Sequence, residues 1–103
     1  MPHRPTLATA AEIDEALAAL PGWRAENGRL VRTFEFPTFA EAFAFMTAAA
    51  LVAERLDHHP DWSNSWRRVD VSLTTHDRGG VTALDLELAR AMSRLAAGRE
   101  SDD

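Results

Sequence analysis

The chain has 103 residues, enough for one domain spanning 1–103, and its 11 basic and 16 acidic residues give a formal net charge of −5. This acidic balance argues against nucleic acid as a direct partner, because binding to phosphates favours a basic face. All 11 basic residues are Arg, and Cys and Tyr are both absent, so proton chemistry near neutral pH falls to four His and the carboxylates.

The N-terminal quarter predicts a helix followed by a hairpin. Thr9 and Glu12 form a capping box that starts the helix, and Pro21-Gly22 ends it. Asn27-Gly28 lies between two extended runs and indicates a tight turn, because both of its positions favour positive φ. The second run, 30–36, alternates apolar and polar residues except at Arg32, which falls on the mainly apolar face.

A second, strongly apolar helix follows. Thr38 and Glu41 have the capping-box spacing, and Pro60 predicts that the helix is over by His59. Its apolar stripe consists of residues at helical spacing, Phe39, Ala42, Phe43, Met46, Ala49, Ala50 and Ala53. Further apolar residues, Phe45, Ala48 and Val52, extend this surface. A helix that is apolar nearly all round is buried on more than one side, which predicts a partner subunit.

The C-terminal part predicts two strands and a third helix. The strands occupy 61–66 and 67–75, and a polar loop with two Gly covers 76–80. Thr82 and Asp85 form a third capping box, and the tail 98–103 is expected to fray. The order α-β-β-α-β-β-α predicts an α+β fold, with a four-stranded antiparallel sheet and three helices on one face.

No part of the sequence predicts a signal peptide or a membrane-spanning helix. The longest apolar stretch, 39–53, contains Glu41 and is shorter than the roughly 20 residues that a spanning helix needs. We therefore expect a cytoplasmic protein with no membrane partner.

Three of the four His, His58, His59 and His76, fall within 19 residues, and three interpretations compete. A zinc site with Asp77 is disfavoured, because adjacent side chains on extended backbone point to opposite sides. The second interpretation is that these His are solvated loop residues without a function. The third is a metal-free acid–base site, since imidazole, with a pKa of about 6.5, populates both protonation states near neutrality.

Nearby side chains could complete such a site. Carboxylates that could orient an imidazole or favour its protonation are Glu54, Asp57 and Asp77. Trp62 and Trp66 could supply a flat wall for an aromatic ligand.

One pattern surrounds these His: Glu54-Arg-Leu-Asp-His-His-Pro-Asp-Trp62 with Asn64, then Thr74-Thr-His-Asp77, Gly80 and Asp85. An upstream run adds Phe34, Phe36, Phe39, Ala42 and Phe45-Met46. Together these motifs resemble the pterin-4a-carbinolamine dehydratase family, and the resemblance covers about residues 9 to 97.

The resemblance implies the same α+β fold and the dehydration of 4a-hydroxytetrahydrobiopterin to quinonoid dihydropterin, in tetrahydrobiopterin recycling. It implies neither a metal nor an organic cofactor. The catalytic residues would be His58, His59 and His76, with supporting acids at Glu54 and Asp85. It also implies a homodimer or homotetramer, which we expect to form through the second helix or a sheet edge. Many members have Tyr where this chain has Trp66.

We expect His58 and His76 to transfer protons and His59 to position the pterin. Glu54, Trp62 and Asp85 are candidate substrate-binding residues, but each has a structural alternative. Glu54 is equally a helix-end carboxylate and Trp62 a core aromatic, and for Asp85 helix capping is the favoured interpretation. An alternative function is a dimerisation or transcriptional coactivator-type binding module of the same fold. The physiological pterin could also differ from tetrahydrobiopterin.

Overall fold

The structure is a computed structural model that describes residues 5–101. Within them, three α-helices, four strands and one 3-10 turn follow the predicted order. The helices are α1 (Ala10–Ala18), α2 (Phe39–Leu56) and α3 (Ala83–Ala96), the strands are β1 (Arg24–Glu26), β2 (Arg29–Glu35), β3 (Asp61–Ser65) and β4 (Arg68–Leu73), and the 3-10 turn is His76–Arg78. The predicted α+β class is confirmed. None of the helices in residues 5–101 is long and apolar enough to cross a membrane.

All four strands pair antiparallel, in the order β1-β2-β4-β3. The predicted turn joins β1 to β2, with φ of 52° at Asn27 and 76° at Gly28. On the other side of the sheet, β3 is an edge strand that pairs with β4, so that Asp61 lies opposite Ser72. The chain therefore enters β3 and leaves β4 at the same end of the sheet.

The core lies between one face of the sheet and the helices. Phe34 of β2 packs 4.6 Å from Phe45 of α2, measured between ring centroids, and Phe36 lies 5.0 Å from Phe45. The other buried residues of β2 and β4 are Leu30, Val69, Val71 and Leu73, and α3 adds Leu88, Ala89, Met92 and Ala96. Burial of this apolar surface is the main force that stabilises the fold.

The core of the chain covers one part of the apolar surface predicted for α2. The structure buries Ala42, Phe45, Ala49 and Ala53, whereas Phe39, Phe43 and Ala50 of the predicted set are exposed. In a helix that is apolar nearly all round, more than one set of residues satisfies helical spacing. The position of the helix over Phe34 and Phe36 selects the set that contains Phe45.

Arg32, the residue that interrupts the apolar face of β2, is accommodated by specific contacts. Its guanidinium lies 4.1 Å from the centre of the Phe34 ring. It also donates to Ser93 Oγ at 3.2 Å and to Glu100 Oε2 at 2.7 Å. The backbone N–H of Ser101 donates to Glu35 O at 2.8 Å, so residues 100 and 101 of the tail contact β2.

Candidate active site

The ends of α2 and β4 bring the three His of the sequence cluster to one place. Helix α2 ends at Leu56, and Asp57 adopts a left-handed conformation with φ of 51° that turns the chain out of the helix. The chain then passes through His58 and His59 into β3, while His76 follows β4 at the same end of the sheet. The three His line one open cleft of about 220 Å³, together with Asp57, Thr74, Thr75 and Asp77.

His58 is the buried member of the cluster. Only 9% of its side chain is exposed, and its Nε2 lies 2.5 Å from Oδ1 of Asp85, which is completely buried. Helix α3 supplies Asp85 from its first turn, where the carboxylate also caps the helix by accepting from the backbone N–H of Thr82 at 2.8 Å. Asp85 therefore caps α3 and also contacts His58, but it does not line the cleft, and its candidate role in substrate binding stays a prediction.

Two threonines complete the surroundings of this carboxylate. The hydroxyl of Thr75 donates to Asp85 Oδ2 at 2.8 Å and lies 2.7 Å from the hydroxyl of Thr82. Thr75 and the backbone N–H of Thr82 both donate to Oδ2, and Nε2 of His58 contacts the other oxygen, Oδ1. Although its side chain is buried, His58 is among the residues that line the cleft.

His59 and His76 are much more exposed, and each has its own carboxylate. His59 Nε2 lies 3.0 Å from Glu54 Oε1 on the last turn of α2, and 59% of the His59 side chain is exposed. His76 Nε2 lies 3.1 Å from Asp61 Oδ2 at the start of β3, with 66% of the His76 side chain exposed.

Arg29 holds the carboxylate beside His76. Its Nη1 donates to Asp61 Oδ2 and to Ser72 Oγ, both at 3.0 Å. The hydrogen bond from Arg29, with a smaller contribution from His76, keeps the pKa of Asp61 below its ordinary value of 3.8. Asp61 is therefore ionised near neutral pH.

The three His pair with three different carboxylates. Within residues 5–101, no group of three or more His, Asp or Glu side chains is arranged to hold a metal ion. The arrangement is suited to proton transfer, because each imidazole has one nitrogen engaged by a carboxylate.

The predicted aromatic wall is not part of this cleft. Trp62 is half-buried and packs against the core from β3. Trp66 lies in the turn between β3 and β4, at the opposite end of β3 from Asp61. There the guanidinium carbon of Arg67 lies 4.8 Å from the centre of the Trp66 ring. Neither Trp is among the residues that line the cleft.

Sequence reasoning did not assign four residues a role in holding the His side chains or the carboxylates that contact them. These residues are Arg29, Asp61, Thr75 and Thr82. The capping-box spacing identified Thr82 and Asp85 as partners but gave no link to His58, 27 residues away. Asp61 had one available signal, since it follows the His-His-Pro run directly.

Comparison with known proteins finds the same family over most of the chain. A family model described as pterin 4 alpha carbinolamine dehydratase matches residues 6–95. A relative from Bradyrhizobium diazoefficiens is 57% identical over 84 residues, which are 80% of this chain and 84% of the relative. Another, from Rhodopseudomonas palustris, is 58% identical over 84 residues, or 80% and 83% of the two chains. The names of both assign them provisionally as pterin-4-alpha-carbinolamine dehydratases.

Solved structures agree with this result. A crystal structure from Brucella melitensis, described as a transcriptional coactivator/pterin dehydratase, is 48% identical with a TM-score of 0.87, and the match covers 89% of this chain and all of that one. A pterin dehydratase-like protein described as a RuBisCO assembly factor has a TM-score of 0.60 at 22% identity, over 73% of this chain and 87% of that one. At that identity the second likeness concerns the fold alone.

Proposed function

Because the chain belongs to the pterin 4 alpha carbinolamine dehydratase family, we propose that it is a hydro-lyase that converts 4a-hydroxytetrahydrobiopterin to quinonoid dihydropterin and water, in tetrahydrobiopterin recycling. The observation that carries the proposal is the shared cleft, in which three His each contact a separate carboxylate.

The proposed reaction consists of two proton transfers and one bond cleavage. A protonated imidazole donates to the 4a-hydroxyl, the C4a–O bond breaks, and water leaves. A neutral imidazole accepts the proton of the adjacent ring nitrogen, whose electron pair forms the new C=N bond. No electrons are gained or lost overall, so the reaction needs no redox cofactor, and the proposed steps use imidazole groups alone as acid and base.

We assign the two proton transfers to His58 and His76. Asp85 holds His58 through Nε2, which leaves Nδ1 as the nitrogen that exchanges a proton with the substrate. Asp61 contacts Nε2 of His76 in the same way. In this assignment His59, on the exposed side of the cleft next to Glu54, contacts and positions the pterin.

Stopped-flow measurement of carbinolamine dehydration tests the proposal directly. We expect the wild-type protein to accelerate the reaction well above buffer, and to do so equally with and without a chelator. His58→Gln and His76→Gln should each lower kcat by about 10²–10⁴-fold, the usual contribution of a positioned acid or base. His59→Gln should raise KM more than it lowers kcat. A wild-type rate no faster than buffer would refute the proposal.

A binding module of the coactivator type is not favoured as the primary function. The described cleft keeps all three His that the family resemblance assigns to catalysis, each with a carboxylate partner. A module that acted only by binding would not require this arrangement.

A further inference from the structure

One carboxylate beside the cleft, Asp61, connects His76 to the strands of the sheet. Its Oδ2 lies 3.1 Å from Nε2 of His76 and 3.0 Å from Nη1 of Arg29. The same Nη1 reaches Ser72 Oγ at 3.0 Å, and Ser72 is the residue opposite Asp61 in the pairing of β3 with β4.

Arg29 therefore joins three strands at this end of the sheet. It is the first residue of β2, Ser72 lies on β4, and Asp61 is the first residue of β3. Because Arg29 is itself anchored to Ser72 of β4, its hydrogen bond restricts Asp61 more than an ordinary surface carboxylate is restricted, and this orients the Asp61 oxygen toward His76.

We propose that Asp61, held in place by Arg29, is a positioning residue that fixes the ring orientation and tautomer of His76 for the dehydration reaction. The proposal rests on the proposed function. Asp61 acts through His76 and is not assigned a contact with the substrate.

Two physical arguments support this role. First, an ionised carboxylate is an acceptor only, so it selects the His76 tautomer with hydrogen on Nε2 and leaves Nδ1 for proton exchange. Second, both side chains of the pair are more than half exposed, and such a pair contributes little to folding stability. A role in orienting His76 accounts for the contact better than a role in stability.

Asp70 provides a matched control for Asp61. It lies on β4, accepts from an Arg, in this case Arg68 at 3.0 Å, and also accepts from the hydroxyl of Thr33 at 2.6 Å. Neither Asp61 nor Asp70 lines the histidine cleft, but Asp61 contacts His76, whereas the hydrogen bonds of Asp70 are with Thr33 and Arg68. Asp61→Asn and Asp70→Asn thus remove the same charge from similar surroundings, with and without a histidine partner.

The experiment compares both variants with the wild-type chain in two assays. In the dehydration assay, Asp61→Asn should lower kcat by about 10- to 100-fold, the range typical for loss of an outer partner of a functional histidine, with KM changed less than twofold. In imidazole ¹⁵N spectra, with His76 assigned by comparison with His76→Gln, Asp61→Asn should shift the His76 tautomer signals. Asp70→Asn should change neither result.

The two assays separate this proposal from the proposed function. If Asp61→Asn matches Asp70→Asn in kcat, or if kcat falls while the His76 spectrum is unchanged, the positioning role is overturned. If the wild-type chain is inactive but Asp61→Asn alone alters the His76 spectrum, Asp61 does control His76 and the dehydratase proposal is the one that fails.

Discussion

The hydroxyl of Thr75 supports the buried His58–Asp85 pair by donating a hydrogen bond to Asp85. We predict that Thr75→Val, which keeps the shape and removes the hydroxyl, lowers kcat about tenfold or more, because one donor to Asp85 is lost beneath a proton-transferring histidine. It should also destabilise the fold by about 1–3 kcal/mol, the cost of leaving buried polar groups unpaired. Kinetic assays and urea unfolding measure the two effects.

Thr33 of β2 supplies the control for this prediction. Its hydroxyl donates to Asp70 Oδ1 at 2.6 Å, and Thr33 does not line the histidine cleft. Thr33→Val should therefore cost at most about 1.5 kcal/mol of stability while kcat stays near wild type. Equal losses of kcat in both variants would contradict a specific role for Thr75.

Contacts between residues far apart in the chain mark the limit of what the sequence could predict about the site. The cluster of His58, His59 and His76 could be recognised as a site because all three lie close in sequence. The link from His58 to Asp85 could not, because it joins the end of α2 to the start of α3 across 27 residues. The same holds for Arg29 and Asp61, which are 32 residues apart and meet only when the sheet forms.

At the scale of elements, the start of α2 depends on Thr38, whose side chain accepts from the backbone N–H of Glu41 at 3.1 Å. We predict that Thr38→Ala destabilises the protein by about 1 kcal/mol, because an N–H of the first helical turn loses its acceptor. Thr47→Ala is the control within the same helix. It replaces a solvent-exposed Thr in the middle of the helix with Ala, the best helix former. Stability should stay unchanged or rise by up to about 0.7 kcal/mol.

Urea unfolding of both variants checks the prediction. The helix-capping interpretation would be contradicted if Thr38→Ala were as stable as wild type, or if Thr47→Ala lost as much stability as Thr38→Ala.

The sheet should contribute to acid sensitivity through Asp70. A hydrogen bond from Thr33, followed by one from Arg68, keeps the pKa of Asp70 below its ordinary value of 3.8. A carboxylate with a lowered native pKa stabilises the fold above the unfolded pKa, and this contribution disappears as the pH falls through the native pKa. We predict that Asp70→Asn makes the stability less dependent on pH below about pH 4, by at most about 1 kcal/mol because solvent screens the pair.

Urea midpoints measured from pH 2 to pH 7 test this effect. Asp14→Asn, on the exposed face of α1, is the control and should follow the wild-type curve. An Asp70→Asn curve parallel to wild type over the whole range would contradict the prediction.

Elements with local signals could be predicted well, and their packing could not. The hairpin turn at Asn27-Gly28 and the capping boxes at Thr9 and Thr82 depend only on neighbouring residues, and all three are confirmed. The buried face of α2 depends on which residues meet Phe34 and Phe36. The spacing pattern put both Phe43 and Phe45 on the apolar surface, and it could not show that the core takes Phe45 and leaves Phe43 exposed.

At the scale of the whole molecule, α2 leaves an apolar surface uncovered. Phe39, Phe43 and Leu51 are 49%, 55% and 64% exposed, and the rings of Phe39 and Phe43 contact each other at 5.8 Å between centroids. Exposed large apolar residues grouped on one helix typically mark an interaction surface. We propose that a second copy of the chain covers this surface, in a homodimer or homotetramer.

We predict that Phe43→Glu lowers the oligomeric mass measured by light scattering after size-exclusion chromatography. Each copy would lose about 1.5–3 kcal/mol from the unburied ring and would add a charge that the interface must desolvate. The fold should persist, because Phe43 lies outside the core and Glu is a good helix former. Trp66→Ser is the control, since it removes an exposed apolar side chain at the β3–β4 turn and should leave the mass unchanged.

A monomeric wild type would contradict self-association. An oligomer insensitive to Phe43→Glu would instead indicate an edge of the sheet, because within residues 5–101 β1 and β3 each pair with a single strand and leave their other side open to a second chain.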